Sequence, residues 1–164
     1  MAVTFTDIEI ADFIQEKKSL PKISHIKLKE KSGHKEQELE ILGESGNRYM
    51  MILRENKINL LDFSVILGFC PPQTNIVFLL RRYNGRSHEH SNPLERTESF
   101  YDFHIHEATE RYQEAGFRAE HYALPTDRYK DLRDAIECLY NYCNIRLKDE
   151  HQKTLNVWVK NDDY

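Results

Sequence analysis

Two His-x-His pairs, His88/His90 and His104/His106, lie within twenty residues of one another, and Arg81, Arg82 and Arg86 precede them closely. Imidazole titrates near neutral pH, so one histidine can take a proton while another gives one. Guanidinium offers five fixed donors to the charge that builds on a phosphorus centre. These residue types suit metal-free cleavage of a phosphodiester, and RNA brings its own 2′-hydroxyl nucleophile. On this reading His104 and His106 are acid and base, Arg82 and Arg81 stabilise charge, and His88 or His90 assists. Tyr83 and Tyr101 position a ribose hydroxyl or stack on a base, with Arg86 beside them on the substrate.

Two other accounts use the same histidines. Neutral imidazole also binds zinc, manganese or nickel, and Glu89, Asp102 or Glu107 could add an oxygen ligand. The tight H-E-x-x-H signature is absent. The third account gives the histidines only hydrogen bonds and ion pairs with Glu89 and Glu107. The arginines favour the metal-free reading, because they repel a cation placed among them. No cofactor is then expected, with a divalent transition metal at the cluster as the alternative.

Secondary structure must bring these residues together. In a strand, residues two apart share a face, so His104 and His106 project together while Ile105 turns into the core. His88 and His90 lie in a polar loop, 86–99, after an Asn84-Gly85 turn signal. Upstream, Thr6 or Asp7 caps a short helix. A strand meander follows, with turns at 31–34 and 43–47. Phe63 to Cys70 and Thr74 to Tyr83 read as strands, and Phe100 to Ile105 as another. Ala108 to Ala115 reads as a helix closed by Gly116. Thr126-Asp127 is expected to cap the clearest helix, whose stripe runs from Tyr129 to Cys143. Leu155 to Val159 is expected to be a last strand. The expected fold is α+β, a single domain over residues 1–164, with helices packed on one face of an antiparallel sheet.

Composition narrows the setting. The chain has 164 residues, 40% hydrophobic and 30% charged, as in soluble globular proteins. A net charge of -4 gives no chain-wide attraction to nucleic acid or anionic membrane. Cys70, Cys138 and Cys143 form no C-x-x-C pair, which suits a reducing compartment. Early acids (Asp7, Glu9, Asp12) argue against a secretory signal, and the longest apolar runs are too short to span a bilayer. The expectation is a cytoplasmic protein with no membrane partner. Lys27, Lys29 and Lys31 alternate with other residues, as on a solvated strand face.

The run Arg82-Tyr83-Asn84, then His88 or His90, Asn92-Pro93 and His104-Ile105-His106 resembles small uncharacterised bacterial and prophage proteins. It is similar, more distantly, to the TumE-type toxins of toxin–antitoxin pairs. The likeness covers about residues 78 to 116 and departs in a longer loop and in Phe103, where a proline often stands. It implies a ribonuclease-like toxin held by a cognate partner, an antitoxin or defence component, with Arg82, His90, His104 and His106 carried over. The non-enzymatic alternative is an interaction module: antitoxin-like, anti-defence or phage regulatory. The acidic balance and tyrosine content suit such an interface.

Overall fold

Period-two alternation between His34 and Cys70 builds the centre of the sheet. Strands β3 (His34–Gly43), β4 (Arg48–Asn56) and β5 (Phe63–Cys70) run antiparallel. Their register sets Tyr49 opposite Phe69, Met51 opposite Leu67 and Leu53 opposite Val65. All six side chains are buried on one face. The turns fall where the glycines are: Gly33 and Gly46 hold φ of 82° and 99°, a region costly for any residue with a Cβ. A computed structural model describes residues 3–20 and 27–147.

The sheet continues through β6 (Phe78–Asn84), β7 (His104–Glu107) and β8 (Ala123–Pro125) on one side. On the other it passes to β1 (Lys18–Leu20) and β9 (Ile145–Leu147), with β2 (Lys29–Lys31) on β3 off the main path. The order β8-β7-β6-β5-β4-β3-β1-β9 is antiparallel except for the β1–β9 pair. The α+β class therefore holds. Strand β6 begins at Phe78 rather than Thr74, and Ile76 is 44% exposed. Asn84-Gly85 is not a hairpin turn: Asn84 still belongs to β6, and the Gly85 N–H donates to the Phe63 carbonyl. Residues Lys29, Glu30 and Lys31 are exposed, as a solvated face requires.

Helices α1 (Asp7–Gln15) and α3 (Leu132–Tyr142) cover the buried face. A reciprocal Thr6–Glu9 capping box starts α1, and Phe13 stacks on Phe69 with ring centroids 4.0 Å apart. α3 begins four residues later than expected. Its cap is Asp131, whose carboxylate accepts from Asp134 N–H, whereas Thr126 donates its N–H to the Phe103 carbonyl. Tyr129 therefore precedes the helix, yet it is buried, with its hydroxyl 2.8 Å from Asn84 O and 2.9 Å from His104 O. Lys18 is buried too. Its three ammonium protons have three acceptors, the carbonyls of Ile14, Glu16 and Cys143, so one side chain ties the ends of both helices. The short α2 (Glu110–Glu114) follows β7 and is closed by Gly116 at φ 86°. The three cysteines are free, with Cys70 half-buried. The strand expected at Leu155–Val159 lies outside the described residues.

Candidate metal centre

Alternation along β7 sorts its side chains. Ile105 joins the core, while His104 and His106 point to the opposite face, 0% and 3% exposed. Across the ladder, Arg82 stands opposite His106 and Asn84 opposite His104 on β6. The period that brings Arg82 to the histidines sends its two neighbours away. Arg81 pairs with Glu107, donates to the Tyr83 hydroxyl at 2.9 Å and lies 3.8 Å above the Tyr142 ring. Tyr83 packs on Tyr129 in the core. Arg81, Tyr83 and Glu107 are thus separated from the cluster they were expected to join, because strand neighbours face opposite ways.

The 85–103 loop is fixed rather than free-running. It starts where Gly85 passes so close to Leu61 that any Cβ would meet the Leu61 carbonyl oxygen. His90 and Phe100 exchange two backbone hydrogen bonds of 2.9 Å, an isolated bridge. Asn92 is 1% exposed and acts as a short extra strand: its Nδ2 donates to Ala123 O at 2.7 Å, and its Oδ1 accepts from Ala123 N at 3.0 Å. These ties seat the His90 ring on those of His104 and His106, with centroids 5.5 and 4.9 Å apart. His88 reaches His104 (5.2 Å) and His121 reaches His90 (5.2 Å), so five imidazoles form one contiguous group. Arg86 and Tyr101 lie on the exposed rim, where Arg86 Nε donates to the Tyr101 carbonyl.

Hydrogen bonds fix the tautomers. His104 Nδ1 lies 2.8 Å from Asp102 O, His106 Nδ1 2.8 Å from Glu120 O, and His90 Nε2 3.0 Å from Asn92 Oδ1. Each partner is a carbonyl oxygen, which only accepts, so each ring must donate there. The other nitrogen of each ring is left with a lone pair. The Asn92 amide orientation is itself set by its two bonds to Ala123. At His104 the long 3.3 Å contact from Asn84 Nδ2 to Nε2 agrees with Nε2 as an acceptor. One ring nitrogen from each of His90, His104 and His106 lies within 4.8 Å of the others. A tetrahedral zinc with bonds near 2.0–2.1 Å wants its nitrogens roughly 3.3 Å apart, so the rings would have to draw inward to hold one.

Electrostatics keep the rings in the ligating form. Burial lowers the His104 pKa to about 4 and the His106 pKa to about 2, and the neighbouring imidazoles and the Arg82 charge push the same way. Burial lowers His90 as well. Neutral imidazole is the species that binds a metal. Among the described residues the ligand group is histidine alone: Glu89 is exposed, Asp102 offers its main-chain carbonyl to His104, and Glu107 faces the other way.

Sequence reasoning missed Asn92, Glu120 and the place of His121 in the group. Asn92-Pro93 carried a signal, but it read as a loop marker. Replacing Asn92 with alanine is expected to cost about 2–4 kcal/mol of stability, because two buried backbone groups of Ala123 lose their partners. Were the three rings to hold a metal, freeing the His90 ring should weaken that binding about 10- to 100-fold. Urea unfolding and zinc titration of the purified variant check both figures.

Comparison with family models, with curated proteins and with solved structures finds no match.

Proposed function

We propose that the protein is a metalloprotein in which His90, His104 and His106 hold one divalent transition metal and leave a coordination position open for chemistry. One observation carries this reading: three neutral imidazoles, each donating its other N–H to a carbonyl oxygen, converge to within 4.8 Å. Ligating histidines are ordinarily oriented in this way. An all-imidazole set suits zinc, and three protein ligands mark the catalytic type of site rather than the closed structural type. A metal there would supply Lewis acidity at the open position. The Arg82 charge opposes the ion, and the buried Glu120 carboxylate, 3.8 Å from Arg82, offsets it. The reaction class this supports is metal-assisted hydrolysis. No described helix is long and apolar enough to cross a membrane.

The test is elemental analysis of protein purified without a histidine tag. One equivalent of zinc or a neighbouring transition metal, removed by chelator and restored by titration, is the expected result. Protein that neither carries nor takes up a metal removes the proposal.

The metal-independent endoribonuclease is a second reading, favoured by Arg82, which stands opposite His106 and bears on His104 in a group that also holds His88 and His90. Burial holds His104 and His106 neutral, so the general acid would come from another ring of the group, of which His88 is the exposed one. RNA cleavage in excess EDTA, lost in His88→Ala, would favour that reading over the metal centre.

A further inference from the structure

Among the described residues, three buried side-chain polar atoms have no hydrogen-bond partner: Arg82 Nε, Glu120 Oε2 and Tyr140 Oη. Two of the three flank the same histidine. Arg82 stands opposite His106 across the β6–β7 ladder, and the Glu120 main-chain carbonyl accepts from His106 Nδ1. Glu120 Oε2 lies 3.8 Å from Arg82 Nη2 and 3.9 Å from Arg118 Nη1, too far for a hydrogen bond to either. The Glu120 side chain is only 5% exposed, that of Arg82 19% and that of Arg118 62%.

A buried guanidinium and a buried carboxylate held apart are costly, and a direct fork between them would satisfy both. In the structure that fork is not closed, and the two groups stand 3.8 Å apart. Register sets the Arg82 backbone opposite His106, and the bond to His106 holds the Glu120 main chain. Arg54, the other cation that bears on Arg82, is already tied to Glu36 at 3.1 Å. What remains is Arg82 with its buried Nε unpaired and the exposed Arg118, both facing one unpaired carboxylate oxygen of Glu120.

We infer that Arg82 and Arg118 form a phosphate-binding subsite beside the three-histidine centre, with Glu120 as the internal counter-ion that the phosphate displaces. This rests on the metal centre for its neighbour but not for its own residues. Guanidinium forks match the oxygens of a tetrahedral oxyanion. Two guanidiniums and a divalent ion against one carboxylate leave an excess of positive charge that a phosphate dianion balances better than a monoanion. Arg82 is the fixed wall, and the exposed Arg118 is the arm that closes over the ligand. The substrate class that follows is a phosphate ester, its phosphoryl oxygens shared between the arginines and the open position of the metal.

The experiment titrates inorganic phosphate into the protein, metal-free and zinc-loaded, and follows the arginine Nε–H resonances by NMR. Wild type is expected to bind in both forms, more tightly with zinc. Arg82→Gln should abolish binding, and Arg118→Ala should weaken it about tenfold, the value of one charge-assisted hydrogen bond. Glu120→Gln should tighten it severalfold, because the competing carboxylate is gone. Simple damage to the site would weaken all three, so the opposite sign is diagnostic. Unchanged affinity in both arginine variants, or weaker affinity in Glu120→Gln, overturns the subsite. If Arg82→Gln does not fold, the exposed Arg118 and the isosteric Glu120→Gln still decide. Arginine-dependent phosphate binding by a protein that takes no metal would overturn the metal centre alone. Zinc uptake with phosphate binding indifferent to both arginines would overturn the subsite alone.

Discussion

Replacing His106 with alanine is expected to remove the metal. His106 touches both His90 and His104, and its second nitrogen is anchored on Glu120 O. Structural zinc sites gain about 10–16 kcal/mol from four ligands, so one ligand is worth roughly 2.5–4 kcal/mol. The affinity should therefore fall by roughly a hundred- to a thousandfold. Protein purified at micromolar concentration should change from about one equivalent of metal to less than a tenth. His88→Ala is the control. Its ring packs on His104 but is not one of the three converging ligands, so the metal should stay. Equal metal content in wild type and His106→Ala would mean that the ion, if present, sits elsewhere.

Metal-free protein is expected to lose stability steeply as the pH falls below about 6.5. In the unfolded chain His104 and His106 take up a proton near that pH, whereas in the fold burial lowers them to about 4 and about 2. Between those values the unfolded state binds more protons. The contribution is therefore complete above pH 6.5 and is lost as the pH falls towards the folded values. Each histidine contributes a slope of up to about 1.4 kcal/mol per pH unit, and His104 alone accounts for about 3 kcal/mol by pH 4. Against a usual total of about 5–15 kcal/mol, acid should unfold the protein well above the carboxylate range. Urea unfolding in EDTA at pH 7.5, 6 and 5 measures the slope. The double variant His104→Gln, His106→Gln should flatten it. A wild-type midpoint that does not move between pH 7.5 and 5 would contradict the buried neutral state of the rings.

Two of the three converging histidines were legible in the sequence. The spacing of His104 and His106 around the apolar Ile105 requires two imidazoles on one face, and β7 has them there. The same rule could have parted Arg82 from Arg81 and Tyr83, since all three lie consecutively in one strand. Their nearness along the chain hid it. His90 could not be placed from pattern, because its position depends on one bridge to Phe100 and on Asn92 pairing with Ala123. Both are contacts between segments too short and polar to show any period, and β8 has only three residues. The fold was legible where alternation is long, as in β3 to β5, and α3 was legible in its stripe but not in its start. Thr126-Asp127 and Asp131 are equally good caps by residue type, and the choice fell to the Thr126 bond with Phe103.

The parallel pair β1–β9 bears on the order in which the molecule can assemble. Lys18 meets Ile145, so that contact closes a loop of about 125 residues, while Arg82 and His106 close one of about 25. The difference in closure entropy is about 1.5 kcal/mol against the longer loop. The histidine-bearing strands β6 to β8 need only nearby chain, whereas β1 and β9 must wait until β3 and α3 give them something to join. A nascent chain released with β9 unpaired would thus already own its imidazole cluster. Metal added during refolding should speed recovery of that half without hastening the final closure of the sheet.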